Sequence, residues 1–434
     1  MNAAMPALAA DSLTGLVRWV IDIPVEPGEP RIFNASVKMA DTTRYSPHPC
    51  YDNNGGSGLT EAAARGAAIG EGLERYCASQ FAPDDLVFGT AEALSRDHAL
   101  FEPGSFAMFH PDQPGDFTPA GRDTLLGWAW AWAPIAAHPV LVPASMVYMP
   151  YFPCRADLGE RPAGPSMSTG LACARDLDTA LLKGIWECVE RDAFMITWMN
   201  RLPVPRVDID SHPALARLHA ERLRRDGLRY LLFRTTLDLP IASFLCLLVD
   251  ERRSPPMISA GGAAGLDPVA AAAKAMTEAV QTREWAKFLG RNGARFAFAE
   301  DFSDIRDFED HVALYAYGDL GHAIRFLLDG DRATVGDGWK SRGTENARQD
   351  LRITLDILRD AGLRIAALDL TVPDVEAAGL RVARAVMPDL QPLDADYRHR
   401  FLGGTRLYEV PVRLGYRERP PRLDELNPYP HPFP

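Results

Sequence analysis

A-A-I-G-E-G-L-E-R-Y (67–76) and L-K-G-I-W-E-C-V-E-R-D (182–192) repeat one phrase within a single chain. Each sets two glutamates three residues apart, Glu71 with Glu74 and Glu187 with Glu190, and follows the second with an arginine, Arg75 or Arg191. On a helix, positions i and i+3 share a face. The flanking residues are Ala, Gly, Ile, Leu, Trp and Val, so the helix is expected to be buried, and a buried carboxylate needs a partner. Two such helices side by side would present four carboxylates to one space, which points to a bound hard cation. The plain alternative is an exposed i,i+4 pair of Glu71 with Arg75 and of Glu187 with Arg191, worth only about 0.3 kcal/mol. Recurrence, the apolar flanks and the polar loop before each copy argue against it.

Outward from these phrases, the same rhythm appears three times. D-N-N-G-G-S-G-L-T (52–60) reads as turn chemistry that ends in Thr60, an N-cap for a helix over 61–79. G-P-S-M-S-T-G (164–170) precedes a helix over 178–199, with Asp178 as the expected cap. A-G-G-A-A-G (260–265), then Asp267-Pro268, reads as a glycine loop leading into a helix that ends near Leu289. This third helix carries Glu278, Gln281 and Arg283 instead of paired glutamates. Strands are expected at 17–23, 128–135, 139–143, 228–234, 243–249 and 364–371, with a further helix over 350–362. Residues 102–123 read as a surface excursion, 300–345 as irregular and partly flexible, and the C-terminus as an exposed tail. The fold class is therefore mixed α/β of the α+β kind, with sheets packed against alanine-rich helices.

The 434 residues are 47% apolar and 24% charged, which suits a globular chain with a substantial core. A net charge of −12 argues against a nucleic-acid surface; the basic run R-L-R-R-D (222–226) reads as a solvated helix face. Six scattered cysteines without a C-x-x-C pair, and no secretory signal, predict reduced thiols and a cytoplasmic protein. No uninterrupted apolar run is long enough for a membrane span.

A Mg²⁺–nucleotide site would supply the missing positive charge. Mg²⁺ takes oxygen ligands, usually one or two carboxylates completed by water and phosphate, while loop amides, hydroxyls and arginines hold phosphates. Neither G-x-x-x-x-G-K-[ST] nor G-x-G-x-x-G occurs, so the P-loop and dinucleotide fingerprints are excluded. The ten histidines show no zinc-type spacing with one another or with cysteine.

In this order the motifs resemble those of the YcaO superfamily, from about Asn53 to Pro434. Glu71-x-x-Glu74-Arg75-Tyr76 looks like its first motif. S-T-G-L-A-C-A, E-C-V-E-R-D-A and Trp198 look like its second, and G-G-A-A-G-L-D-P with A-M-T-E-A-V-Q-T-R like its third. The resemblance implies a YcaO-like fold whose helices form an acidic Mg-ATP site. It makes Glu71, Glu74, Glu187 and Glu190 candidate metal ligands, and Arg75, Ser166, Thr169, Arg191, Glu278, Gln281 and Arg283 candidate nucleotide contacts. Ser57 stands where lysine is common, Ala67 where serine is, and Thr169 where asparagine is; these departures bear on individual nucleotide contacts and leave the carboxylates intact. The expected organisation is a lead-in over 1–45 and a YcaO domain over 46–434 whose tail spans 417–434.

The chain ends in Pro430, His431, Pro432, Phe433 and Pro434. Alternating proline favours an extended rod of about 3.1 Å per residue, which composition alone would read as a free tail or a ligand of a proline-binding module. In azoline-forming YcaO proteins a P-x-P-x-P ending carries the terminal carboxylate into the active site, so the resemblance makes Pro430, Pro432 and Pro434 catalytic-tail candidates. It implies an ATP- and Mg²⁺-dependent cyclodehydratase that forms azolines from Cys, Ser or Thr of a ribosomally made precursor peptide. With about 50 residues before the first motif, a separate ThiF-like leader-binding partner is expected. The resemblance also leaves room for a flavin-dependent azoline dehydrogenase and a homodimer. Thioamide or amidine formation, and a silent scaffold subunit, are the alternatives.

Overall fold

The computed structural model describes residues 15–44, 48–106, 108–113, 115, 117–293, 297–333 and 339–434. Residues 1–14 of the expected lead-in, and 334–338 of the stretch expected to be irregular, lie outside them.

β1 (Val17–Ile23), β2 (Phe33–Met39) and β3 (Asn53–Gly58) form an antiparallel sheet in that order, and β3 runs into helix α1 (Glu61–Ala78). The glycine stretch read as a turn is thus a strand, with Gly56 opposite Ala35 and Asn54 opposite Val37. Close helix packing explains its composition. A Cβ on Gly56 would lie 2.1 Å from the Ala68 nitrogen, and one on Gly58 would lie 2.7 Å from the Ala63 Cβ. Glycine weakens a strand but lets another backbone approach.

β4 (Val87–Thr90), β5 (Leu125–Ala133), β6 (His138–Pro143) and β7 (Leu171–Ala174) follow, and β7 leads into helix α2 (Leu177–Asn200). β5 and β6 are the expected pair of strands, an antiparallel hairpin. The cap of α2 is Asp176 rather than Asp178: Asp176 has extended backbone and accepts from Thr179 N at 2.8 Å. Asp178 is already helical and meets Arg348 instead.

β8 (Arg206–Val207), β9 (Leu228–Arg234), β10 (Ala242–Asp250) and β11 (Ile258–Gly265) come next, and β11 leads into helix α3 (Pro268–Arg291). A-G-G-A-A-G is again a strand and not a loop, with Gly262 opposite Leu245. A Cβ on Gly261 would lie 2.2 Å from the Ala279 nitrogen, so the glycines seat α3 on the sheet. Asp267 caps α3 by accepting from Val269 N and Ala270 N.

Besides shorter helical turns, the chain then forms helix α4 (Phe308–Tyr317), β12 (Arg332–Ala333), helix α5 (Ala347–Asp360), β13 (Ala366–Asp369), β14 (Arg381–Val386) and helix α6 (Thr405–Arg413). The second sheet runs β4-β5-β13-β14-β7 with β6 on β5; the third runs β11-β10-β9-β8-β12. The stretch expected to be irregular contains α4, whose His311–Ala316 run is buried. Its charges sit in the first turn and hide an apolar second half.

The tail departs most from expectation. Pro430 to Phe433 are buried, not exposed. Backbone carbonyls are its handles: Tyr429 O accepts from Trp198 Nε1 at 3.0 Å and Pro430 O from the Tyr315 hydroxyl at 2.7 Å. His431 Nε2 lies 2.7 Å from the Asp394 carbonyl oxygen, and Phe433 packs on Phe194 with ring centroids 4.7 Å apart. Proline donates no backbone N–H, so a proline-rich segment can be buried once its carbonyls are met.

Candidate active site

Three strand–helix units, β3–α1, β7–α2 and β11–α3, carry the sequence candidates. Each helix is capped within three residues of a glycine- or alanine-rich strand, by Thr60, Asp176 and Asp267 respectively. Long helices held tightly on small-residue strands bring their acidic turns together.

Glu74 accepts from Cys173 N of β7 at 2.8 Å, which ties α1 to the second unit. Glu187 accepts from Gly170 N at 2.7 Å and pairs with Arg191 at 2.9 Å. Burial pushes Glu74 up to about 8, with the Glu187 and Glu71 charges adding to the shift and Arg75 opposing it. Burial also pushes Glu190 up to about 8, reinforced by the Glu278 charge on α3. Glu71 is raised in the same sense, by burial and by Glu187 and Glu278, although 38% of its side chain stays exposed. It sits deep among protein atoms on one side and open on the other, as the floor of a cleft does. The carboxylates of α1, α2 and α3 therefore feel one another across one space. Among the described residues no three His, Cys, Asp or Glu side chains close into a ready-made metal chelate.

The other candidates divide. Arg75 pairs with Glu71 at 3.4 Å, and Thr169 Oγ1 accepts from Arg191 Nη1 at 2.5 Å. The buried Nε of Arg191 has no partner among the described residues. Ser166 Oγ accepts from Tyr151 N at 3.0 Å, which fixes its loop. Gln281 reaches β3: a Cβ on Gly55 would lie 3.8 Å from its Nε2. Arg283 faces elsewhere. Its guanidinium is held by Glu29 at 2.8 Å, by Asp250 at 3.4 Å and by the Pro256 carbonyl at 2.7 Å, so it is a buried structural cation rather than a member of the cleft. Sequence spacing could not reveal this, because Glu29 and Asp250 are remote in the chain.

Two further features escaped the sequence reading. Lys274 pairs with Glu278 at 3.2 Å, and its charge is favoured first by Glu278 and also by Glu190 and Glu187. Its signal was there, one turn before Glu278, but resembled an ordinary i,i+4 surface pair. The second is the meeting of tail and acidic helix. A Cβ on Gly262 would lie 2.5 Å from the Phe433 ring and 2.9 Å from Glu190 Oε1. Gly262 thus lets the tail lie against the wall that carries Glu190.

The donor set fits a Mg²⁺–nucleotide complex. Desolvated carboxylates held near neutrality lack positive charge, Lys274, Arg75 and Arg191 can face phosphates, and Arg191 Nε is an unmet buried donor. Mg²⁺ takes one or two carboxylates and completes its shell with water and phosphate. Among the described residues no helix is long and apolar enough to cross a membrane.

The family model described as YcaO cyclodehydratase, ATP- and Mg²⁺-binding, matches residues 55–391. A protein of Rhizobium leguminosarum bv. trifolii, named only as an uncharacterized protein in the tfuA 3′ region, is 32% identical over 52% of this chain and 54% of its own length. A solved heterocyclase in complex with substrate and cofactor superposes with a TM-score of 0.77 at 21% identity, covering 98% of this chain and 56% of that one. The YcaO protein of Methanopyrus kandleri bound with AMPPCP and Mg²⁺ gives 0.62 at 19% identity, covering 94% of this chain and 91% of that one. The chain thus spans about half the length of the first two of these proteins. These similarities at the fold level agree with the matched family model: the chain belongs to the YcaO family, whose members bind ATP and Mg²⁺.

Proposed function

We propose, from its place in the YcaO family, that this chain is the ATP-dependent cyclodehydratase subunit of a system that modifies ribosomally made peptides. A Cys, Ser or Thr side chain of the precursor peptide gives up its S–H or O–H proton as it adds to the preceding amide carbonyl carbon. The carbonyl oxygen takes the γ-phosphoryl group of ATP and leaves as phosphate, the amide nitrogen gives up its proton, and a five-membered azoline remains.

Glu71, Glu74, Glu187 and Glu190 are assigned to Mg²⁺, and Arg75, Ser166, Thr169, Arg191, Glu278 and Gln281, with Lys274 added, to the nucleotide. The ion supplies neutralisation of the charge that develops on the transferred group. The observation that carries the reading is the contact of Phe433 with Gly262 beside Glu190, because it sets the tail against the acidic cleft. The Pro434 carboxylate is assigned to moving or positioning the proton, with Pro430 and Pro432 holding the rod. Arg283 is left out of the set. Delivery of the peptide by a ThiF-like leader-binding protein is part of the same proposal.

The test is to combine the chain, that partner, precursor peptide and Mg-ATP, then follow phosphate release and product mass. Peptide-dependent phosphate release with loss of one water per ring supports the reading. Replacement of oxygen by sulfur would turn it into thioamide formation, and absence of any nucleotide turnover would leave a scaffold.

A further inference from the structure

A cavity of about 40 Å³ is lined in part by Met167 and Thr169 of the 164–170 loop, and Thr169 also accepts from Arg191. One buried water needs only about 10–15 Å³, so the space exceeds a single water. Its walls are mostly apolar and rich in methionine, with Met108, Met146, Met167 and Met387 contributing. A Cβ on Gly164 would lie 2.3 Å from Met108 Sδ and 3.2 Å from Met146 Cε, so the glycine makes room for two of these side chains. Methionine walls are flexible and polarizable, and adapt to apolar ligands of varied shape.

Two of the polar residues in its wall each carry a buried atom without a partner among the described residues: Arg384 Nη1 and Gln391 Oε1. Arg384 is 2% exposed; its Nε and Nη2 reach Met146 O at 3.2 and 2.9 Å, and no carboxylate pairs with it among the described ion pairs. Gln391 is 1% exposed, and its Nε2 donates to Phe401 O at 2.7 Å. Leaving such groups unmet is costly, and the two residues that carry them both line one largely apolar space. A peptide amide has the complementary pair, a C=O to accept from the guanidinium and an N–H to donate to the glutamine, joined to a side chain.

We propose that this cavity is a subsite for an apolar residue of the peptide substrate, its side chain among the methionines and its amide met by Arg384 and Gln391. The choice of a peptide rests on the cyclodehydratase reading. The shared loop explains the placement: Met167 and Thr169 belong both to the cavity wall and to the loop whose Thr169 holds Arg191 at the acidic cleft. A residue seated here would anchor the peptide beside the site of phosphoryl transfer.

The experiment uses the full chain with ¹³C-methyl methionine and the probe N-acetyl-methionine N-methylamide, with N-acetyl-glycine N-methylamide as control. The methyl signals of Met108, Met146, Met167 and Met387, assigned by single Met→Leu changes, should shift saturably with the methionine probe and not with the glycine one. Met387→Trp, which fills the cavity, should weaken this binding about tenfold or more while Mg-AMPPCP affinity changes less than about twofold. Arg384→Met should weaken it by a similar factor; should that variant not fold, Met387→Trp alone decides. If the probe moves none of the four signals, or binds Met387→Trp as well as the native chain, ordered water is the only occupant and the proposal is overturned. The readout needs neither ATP nor ring formation, so its failure leaves the cyclodehydratase reading standing, and failure of ring formation leaves the subsite standing.

Discussion

At the scale of single residues, the decisive groups are carboxylates whose surroundings disfavour their charge. Glu190 is 7% exposed and lies between Glu187, Glu278 and the docked tail, with Lys274 as the near cation on α3. Glu190→Gln keeps the shape and removes the capacity to carry a negative charge towards a cation. It should lower ATP turnover about a hundredfold or more while leaving Tm unchanged or raised, checked by phosphate release and thermal unfolding. Lys274→Met should raise KM for ATP about tenfold with less effect on fold, since a phosphate-facing cation is worth roughly 1–2 kcal/mol. Arg283→Met separates the two kinds of cation. It should destabilise the protein by about 3 kcal/mol or more, because Glu29 and Asp250 lose their buried partner, without a specific loss of nucleotide affinity.

At the scale of elements, the glycines in β3 and β11 are fitted to the helices above them. Gly261→Ala drives a Cβ to 2.2 Å from the Ala279 nitrogen, a backbone atom that cannot swing aside. It should cost about 3 kcal/mol, read as a lower midpoint in urea with an unchanged slope. At Gly55 the nearest atoms would be 3.8 Å away, so Gly55→Ala should leave the midpoint nearly unchanged. These elements also mark how far the sequence could be read. The helices and their acidic turns were legible because alanine-rich 3.6-residue periodicity and N-caps are local signals. Both glycine strands were misread as loops, because the reason for glycine there is a helix backbone packed across the strand, and no local pattern records it. Arg283's place away from the cleft was hidden for a related reason: spacing shows which side chains share a helix, not what each face meets.

At the scale of the whole molecule, the C-terminal segment closes the structure from the opposite end of the chain. Its anchors come from α2, α4 and the segment before α6: Trp198, Tyr315 and the Asp394 carbonyl. Burial holds His431 down to about 4, with the charges of Arg400 and Arg191 acting the same way and its hydrogen bond to Asp394 O opposing. A released tail would expose an imidazole of ordinary pKa, about 6.5. Between those values the released form binds the proton and the docked form does not, so docking is complete above about 6.5 and weakens as the pH falls towards 4. His311, stacked on His431 at 4.1 Å, is held down by burial in the same sense, whereas Asp394, raised by burial, opposes the effect in part. Carboxypeptidase should therefore trim Pro430–Pro434 faster at pH 5.5 than at 7.5, and His431→Gln should flatten the difference. Equal trimming at both pH values in the native chain would refute the docked-neutral histidine.

The central claim is that carboxylates from three strand–helix units face one Mg²⁺–nucleotide site. Anomalous diffraction from crystals soaked with Mn²⁺ and AMPPCP tests it most directly. The account predicts a metal peak in the cleft within about 2.0–2.3 Å of a carboxylate oxygen from Glu71 or Glu74 on one side or from Glu187 or Glu190 on the other, with the triphosphate facing Lys274. A nucleotide bound with its metal elsewhere on the molecule, none of these four glutamates touching it, would contradict it.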